Sequence, residues 1–425
     1  MPSRGVGRLA LAALRDLVTG RLAREWVGPS TVPLRQIALA DGLTAMAAPD
    51  MMAQAVSSDG AVLATRGYHL YQMRPGDPVL RRLRRLPCPG GTARWLHYSC
   101  LRRHVRRSDV ATVFPLPSGA MLTLAGGRIY RGEASGEGQP VFRLRYWGSG
   151  VGCGVMYCGI VRMPNGTLFF GEYTRNTEYD PVHLYASDDD GRTWRLAHAF
   201  PAGTTRHIHS VQADPFGQDL WLCAGDRNDH SFIAHSSDEG KTFERIGEGS
   251  QQWRSVRLQF TPEHVWWASD TNHPDLRAVF RWSRKTRQVE KLVDLDGPAI
   301  MGTALGGGTW IFGTDREGLS GMQWVFGEDQ PHRITEWDEH PSIWMSADHE
   351  RWVRLALPRW STTGRPTFGV PHFAIGENAP CLAFTIMNVE QYDNHLFVIP
   401  EQALKDFWSR QKSGSPTGLF SGRIP

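Results

Sequence analysis

The sequence predicts an all-β protein, a β-propeller of seven four-stranded antiparallel blades, with six as the alternative count. Three observations predict it. One eight-residue turn motif occurs twice in nearly the same form. Tight turns bearing Gly or Pro recur at blade-length intervals. The composition is rich in turn formers and aromatics, with 45 Gly, 27 Pro and 16 Trp in 425 residues. Such a balance suits many short strands better than long helices.

Residues 1–30 predict a short helical segment. Arg4 and Arg8 precede the apolar run Leu9 to Leu14, which Arg15-Asp16 interrupts. The run is shorter than a secretory core and no cleavage site follows it. No run approaches the roughly 20 apolar residues that span a bilayer. Leu11, Leu14, Val18 and Leu22 share one side of the helix, with Arg8 and Arg15 close to it. This impure pattern predicts packing on the protein body, with contact at a membrane surface as the second reading. The location it implies is cytoplasmic, with peripheral attachment to an inner membrane as the variant.

Residues 31–400 carry the repeat. Its turns are Ser58-Asp59-Gly60, Pro117-Ser118-Gly119, Pro164-Asn165-Gly166, Pro215-Phe216-Gly217, Thr261-Pro262-Glu263, Gly306-Gly307-Gly308 and Gly376-Glu377-Asn378. They are spaced by roughly 45 to 70 residues, the length of a blade. Strand-like runs flank each, such as Gly159 to Met163 and Thr167 to Phe170 around the third. The last unit runs short after His395 to Ile399. A strand from Leu34–Leu39 or Thr44–Ala48 is predicted to complete it and close the ring. Residues 401–425 predict a helix from Glu401 to Lys412 and a disordered tail from Ser413.

The repeated motif is Ser187-Asp188-Asp189-Asp190-Gly191-Arg192-Thr193-Trp194, with a second copy at Ser236-Ser237-Asp238-Glu239-Gly240-Lys241-Thr242-Phe243. A degenerate copy covers 346–352. The Asp carboxylate can accept hydrogen bonds from turn amides, and Gly permits a positive φ. This pattern resembles the Asp-box (BNR) repeat of the sialidase-like propeller superfamily. The resemblance implies that each box is structural and joins the third and fourth strands of a blade. The Arg-Ile-Pro signature of typical sialidases is missing near the first blade, where the nearest fragments are Leu34-Arg35-Gln36-Ile37 and Met73-Arg74-Pro75. Glu172 and Tyr173, adjacent on a strand, point to opposite faces and so do not form a nucleophile pair. The chain is therefore not expected to be a typical sialidase.

If the boxes lie on one face, the loops between second and third strands and the links between blades lie on the other. The second strands end in Gly171-Glu172-Tyr173-Thr174-Arg175, Ala224-Gly225-Asp226-Arg227, Ala268-Ser269-Asp270-Thr271-Asn272 and Gly313-Thr314-Asp315-Arg316. The links add Arg206-His207-Ile208-His209 and Gly249-Ser250-Gln251-Gln252-Trp253-Arg254. From these we take His207, His209, Asp226, Glu172 and Asp270 as candidate catalytic residues. His207 and His209 are two apart and share a strand face, as a base and a substrate ligand would. Tyr173, Arg175, Arg227, Gln251, Trp253, Arg254, Asn272 and Asp315 are candidate substrate-binding residues. Arginines fork onto carboxylates, and the aromatics offer faces to sugars. The bland reading is that these polar groups tie adjacent blades together. Two histidines with one carboxylate are too few to assign a metal from sequence, and no cofactor is assigned.

The net charge of +4 is mild, so no nucleic-acid partner is expected. The basic runs Arg81–Arg85 and Arg102–Arg107 read as solvated faces, or else as sites for an acidic polymer. Six scattered cysteines lack metal-site spacing and suit a reducing compartment. The expected function is that of a carbohydrate-active propeller: a glycoside hydrolase or polysaccharide lyase on a uronic- or sialic-acid-containing glycan, in bacterial exopolysaccharide metabolism. A non-catalytic propeller that binds sugar or protein during polysaccharide assembly is the alternative. The sequence leaves the oligomeric state open.

Overall fold

The structure, a computed structural model, describes residues 28–40, 42–57, 59–87, 112–133, 138–144, 155–156, 159–174, 176–315, 340–360 and 371–411. The N-terminal helix, Arg175, the basic run 102–107 and the C-terminal tail from 412 lie outside the described residues.

Three strands come first: β1 (Thr31–Pro33), β2 (Arg35–Ala40) and β3 (Leu43–Ala48). Blade 1 is β4 (Met52–Val56), β5 (Val62–Arg66), β6 (His69–Met73) and β7 (Val79–Arg85). Blade 2 is β8 (Thr112–Pro115), β9 (Met121–Ala125), β10 (Arg128–Gly132) and β11 (Gln139–Arg143). Blade 3 is β12 (Ile160–Arg162), β13 (Leu168–Gly171), β14 (Val182–Ser187) and β15 (Arg195–Phe200). Blade 4 is β16 (His207–Ala213), β17 (Leu220–Gly225), β18 (Phe232–Ser236) and β19 (Glu244–Glu248). Blade 5 is β20 (Ser255–Phe260), β21 (His264–Ser269), β22 (Ala278–Ser283) and β23 (Val289–Asp294). Blade 6 is β24 (Ala299–Ala304), β25 (Trp310–Thr314), β26 (Ser342–Ser346) and β27 (Val353–Ala356). Blade 7 opens with β28 (Pro371–Phe373), β29 (Cys381–Ile386) and β30 (His395–Pro400), and helix α1 (Glu401–Arg410) follows. The chain is a seven-bladed β-propeller in which each blade is antiparallel and the first strands of successive blades meet around the axis.

Both ends of the repeat build blade 7. β30 pairs with β3, Met46 opposite Val398 and Ala47 opposite Phe397, and β2 then lines β3 as a fifth strand. Of the two segments expected to close the ring, Thr44–Ala48 supplies the fourth strand and Leu34–Leu39 extends the sheet. The seam to blade 1 is stitched by Thr385, whose hydroxyl accepts from the Ala53 amide at 2.9 Å and donates to the Met51 carbonyl at 2.9 Å. β1 caps the outer edge of blade 1 against β7.

All seven expected turns join the first strand of a blade to its second. The three box-like turns join third strands to fourth. They therefore share a face with those first turns, and the two sets touch: Ser118 donates to Asp190 at 2.7 Å, and Asn165 donates to Glu239 at 3.2 Å. In the first box the Asp189 carboxylate accepts from the Ser187 hydroxyl (2.8 Å), the Thr193 amide (2.8 Å) and the Thr193 hydroxyl (2.6 Å). Burial alone would raise its pKa, but these donors pull it down to about 2. Gly191 has φ +79°, and a Cβ there would sit 2.8 Å from Leu122.

The core is a series of apolar layers between blades, so strands are apolar on both faces. Trp266 and Trp267 illustrate the period of two. Trp266 turns toward blade 6 and meets Trp310, with centroids 4.7 Å apart, while Trp267 joins the blade 4 layer containing Trp221. Leu404 and Phe407 of α1 enter the layer at the seam, and Glu401 accepts from the Gly307 and Thr309 amides at 2.7 and 3.0 Å. No helix among the described residues is long and apolar enough to cross a membrane.

His372, on inner strand β28, is buried, and that burial pushes its pKa down to about 4 against a hydrogen bond to the Ala53 backbone. The folded chain therefore refuses a proton that the unfolded chain accepts below about pH 6.5. Stability from this source falls as pH drops from about 6.5 to 4, by about 2 kcal/mol at pH 5. His372→Gln is expected to lose less stability than the native chain between pH 7 and 5. Equal losses in urea titrations at the two pH values would contradict this.

Candidate functional site

The face opposite the box turns carries a compact polar cluster at the top of blade 4. His207 and His209 lie at the start of β16, and Asp226 follows the end of β17. The β16–β17 register slips between Ile208 and Ser210, so His209 is the unpaired residue of a β-bulge. A bulge turns a side chain away from its regular direction. Here the two imidazoles come together, with Nε2 atoms 3.1 Å apart.

Backbone carbonyls from the flanking blades fix both rings. His207 Nδ1 donates to the Thr174 carbonyl of blade 3 at 2.7 Å, and His209 Nδ1 donates to the Ser255 carbonyl of blade 5 at 2.9 Å. A carbonyl only accepts, so each Nδ1 carries the hydrogen, and each neutral ring presents a bare Nε2. Those two nitrogens face Asp226 Oδ1 at 3.3 and 3.4 Å. The other oxygen, Oδ2, accepts from Arg206 Nη1 at 2.8 Å. Burial disfavours the Asp226 charge, but contact with the His207 and His209 rings and the nearby Arg254 guanidinium hold its pKa well below the usual carboxylate range.

A second layer supports the first. Arg254 is 4% exposed and sits between two carboxylates, 3.2 Å from Asp270 Oδ2 and 3.6 Å from Asp226 Oδ1. Gln251 donates to the Asp226 backbone carbonyl at 3.0 Å. The Tyr173 ring lies over His207, with centroids 4.2 Å apart, and 6.0 Å from that of His209. The cluster opens outward through Asp226 and Arg206, whose side chains are 17% and 30% exposed.

The geometry thus gathers His207, His209, Asp226, Asp270, Arg254, Gln251 and Tyr173 of the sequence candidates. Five others fall elsewhere. Glu172 turns back into blade 3, where it accepts from the His183 amide at 2.9 Å and lies 3.2 Å from His183 Nδ1. Trp253 stacks on Trp267 at 5.1 Å and fills the space beside Gly247, where a Cβ would meet its ring. Its ring is thus engaged in packing within blades 4 and 5, away from the histidines. Arg227 reaches out to Asp229 at 3.6 Å. Asn272 and Asp315 are buried at the matching ends of blades 5 and 6. Arg206 was not among the candidates, although its place beside His207 marked it. The Thr174 and Ser255 carbonyls carry no side-chain signal at all.

No protein-family model matches the chain, and no curated protein sequence matches it. Solved structures do resemble it. An oligogalacturonate lyase in complex with manganese superposes with a TM-score of 0.54 at 12% identity, over 88% of this chain and 98% of that one. The oligogalacturonate lyase of Vibrio parahaemolyticus gives 0.54 at 11% identity, over 88% and 99%. A catalytically inactive virginiamycin B lyase of Staphylococcus aureus with quinupristin gives 0.49 at 12% identity, over 87% and 99%. At these identities the likeness is one of fold.

Proposed function

We propose that this propeller is a carbohydrate-active enzyme that cleaves an acidic glycan at the His207–His209–Asp226 cluster. The observation that carries this reading is the convergence of two bare imidazole nitrogens, one carboxylate and an outward-opening arginine in one cluster held by the backbone. Arg206 supplies the positive rim for a uronate carboxylate, and Tyr173 supplies a ring at its edge. The fold shared with two oligogalacturonate lyases is compatible with such a substrate. The turns at 187–194 and 236–243 fit the Asp-box superfamily, on the face away from this cleft.

Between hydrolysis and elimination the geometry favours elimination. Hydrolases need two carboxylates presented across the scissile bond. Asp270 is 4% exposed and held by Arg254, so among the described residues Asp226 is the carboxylate presented beside the histidines. In elimination a base seated at this cluster takes the proton from the carbon next to the uronate carboxylate. Those electrons form the ring double bond as the bond to the glycosidic oxygen breaks, and the departing oxygen takes up a proton from solvent water.

Incubating the full chain with homogalacturonan, alginate, glucuronate-containing and sialylated oligosaccharides tests this. We expect ultraviolet absorbance from an unsaturated uronate on at least one uronate substrate. New reducing ends without unsaturation would replace elimination by hydrolysis. Binding without turnover would leave a sugar-binding propeller and overturn the enzyme reading.

A further inference from the structure

The arrangement of acceptors in the cluster carries a further consequence. With each Nδ1 hydrogen committed to a carbonyl, His207 Nε2, His209 Nε2 and Asp226 Oδ1 all direct lone pairs into one small space. Three acceptors at van der Waals contact repel one another unless something positive lies between them. We propose that this something is a divalent first-row transition-metal ion, bound by His207 Nε2, His209 Nε2 and Asp226 Oδ1.

The distances support an ion over a simple hydrogen-bond network. A tetrahedral ion with bonds of about 2.0–2.1 Å holds its nitrogen and oxygen donors about 3.3 Å apart. The three separations here are 3.1, 3.3 and 3.4 Å. Charge-assisted hydrogen bonds close to about 2.7–2.9 Å. The Arg206–Asp226 pair in the same cluster does so at 2.8 Å, whereas none of the three acceptor pairs does.

The surroundings also follow the pattern of metal sites. Ligating histidines give their second N–H to a carbonyl or carboxylate, which fixes ring and tautomer, and ligating carboxylates are themselves hydrogen-bonded. Here two carbonyls hold the rings, and Arg206 holds the oxygen of Asp226 that faces away from them. Two guanidiniums oppose an ion here: Arg206, 2.8 Å from Asp226 Oδ2, and Arg254, 3.6 Å from Oδ1, the latter balanced by Asp270 at 3.2 Å. Two imidazoles with one carboxylate suit zinc and its first-row neighbours better than calcium or magnesium.

The inference deepens the proposed function and rests on the same cluster. An ion there has a position left for substrate and would neutralise the uronate carboxylate. The proton acceptor would then be the hydroxide that such an ion generates from bound water, not an imidazole.

The test is calorimetric titration of the chelator-treated full chain with Zn2+ and, separately, Mn2+. We expect one ion per chain and a raised melting temperature. His209→Gln and Asp226→Asn should each weaken binding by more than about 100-fold, beyond the 10–100-fold typical of losing an outer-shell partner, which is the effect expected of Arg206→Ala. Asp238→Ala, in a box turn, should bind as the native chain does. Should a ligand variant fail to fold, the absorption spectrum of Co2+ bound to the native chain must show a low-symmetry nitrogen–oxygen site. Failure of both ions to bind, or binding indifferent to His209 and Asp226, overturns the metal site. Glycan turnover at the native rate by metal-stripped chain would overturn the ion's part in the chemistry while leaving the function intact. One bound ion with no activity on any acidic glycan would keep the metal site and remove the function.

Discussion

Asp226→Asn is expected to lower kcat on an acidic glycan by about 1,000-fold, within the range for removing a group that acts at the reacting centre. The substitution keeps size and shape, and the backbone carbonyl that accepts from Gln251 is untouched. What it removes is the charge that faces both imidazoles and both arginines. Arg206 and Arg254 then face the histidines without their shared counter-charge. KM should change far less than kcat, because the exposed arginine rim remains. Circular dichroism separates this outcome from unfolding. A folded Asp226→Asn variant that retains native kcat would remove Asp226 from the chemistry.

The largest stability loss is expected at Asp296, between blades 5 and 6. Its carboxylate accepts from Thr314 Oγ1 at 3.0 Å, Trp344 Nε1 at 2.8 Å and Ser342 Oγ at 2.5 Å, and pairs with Arg354 Nε at 2.8 Å. Asp296 and Arg354 are 12% and 15% exposed. Asp296→Ala leaves the mostly buried Arg354 guanidinium without its counter-charge and the Trp344 indole N–H without its acceptor, although Arg354 Nε still reaches Ser342 Oγ at 2.8 Å. Breaking a buried pair from one side costs about 3–5 kcal/mol. Urea titration should show that loss, while kcat of the folded variant stays native, because none of the described bonds of Asp296 reaches the blade 4 cluster. A change below about 0.5 kcal/mol, the usual range for surface positions, would contradict the role of this network.

These two aspartates mark what a sequence can and cannot disclose. The propeller was legible because its signals are local. Turn residues punctuate every blade, and the box at Ser187 to Trp194 closes its own hydrogen bonds within eight residues. The face of the site was legible too, since strand alternation carries a known turn to a known side. Within that face, composition did not separate ligands from ties. Asp226 and Asp296 are both acidic residues near the ends of strands, yet one opens to solvent beside two histidines and the other bonds four neighbours. Trp253 and Tyr173 are both aromatic, but only Tyr173 lies against the histidines. The bulge at His209 depends on pairing with β17, and the fixing carbonyls of Thr174 and Ser255 belong to other blades. Such facts arise only when distant segments meet.

The most direct test of the central claim is a crystal structure of the full chain soaked with a uronate oligosaccharide. A sugar is expected between Tyr173, Arg206 and Asp226, with its carboxylate at Arg206 and a ring carbon facing the two histidines. A glycan bound on the box-turn face, or at a cleft that contacts none of these residues, would contradict it.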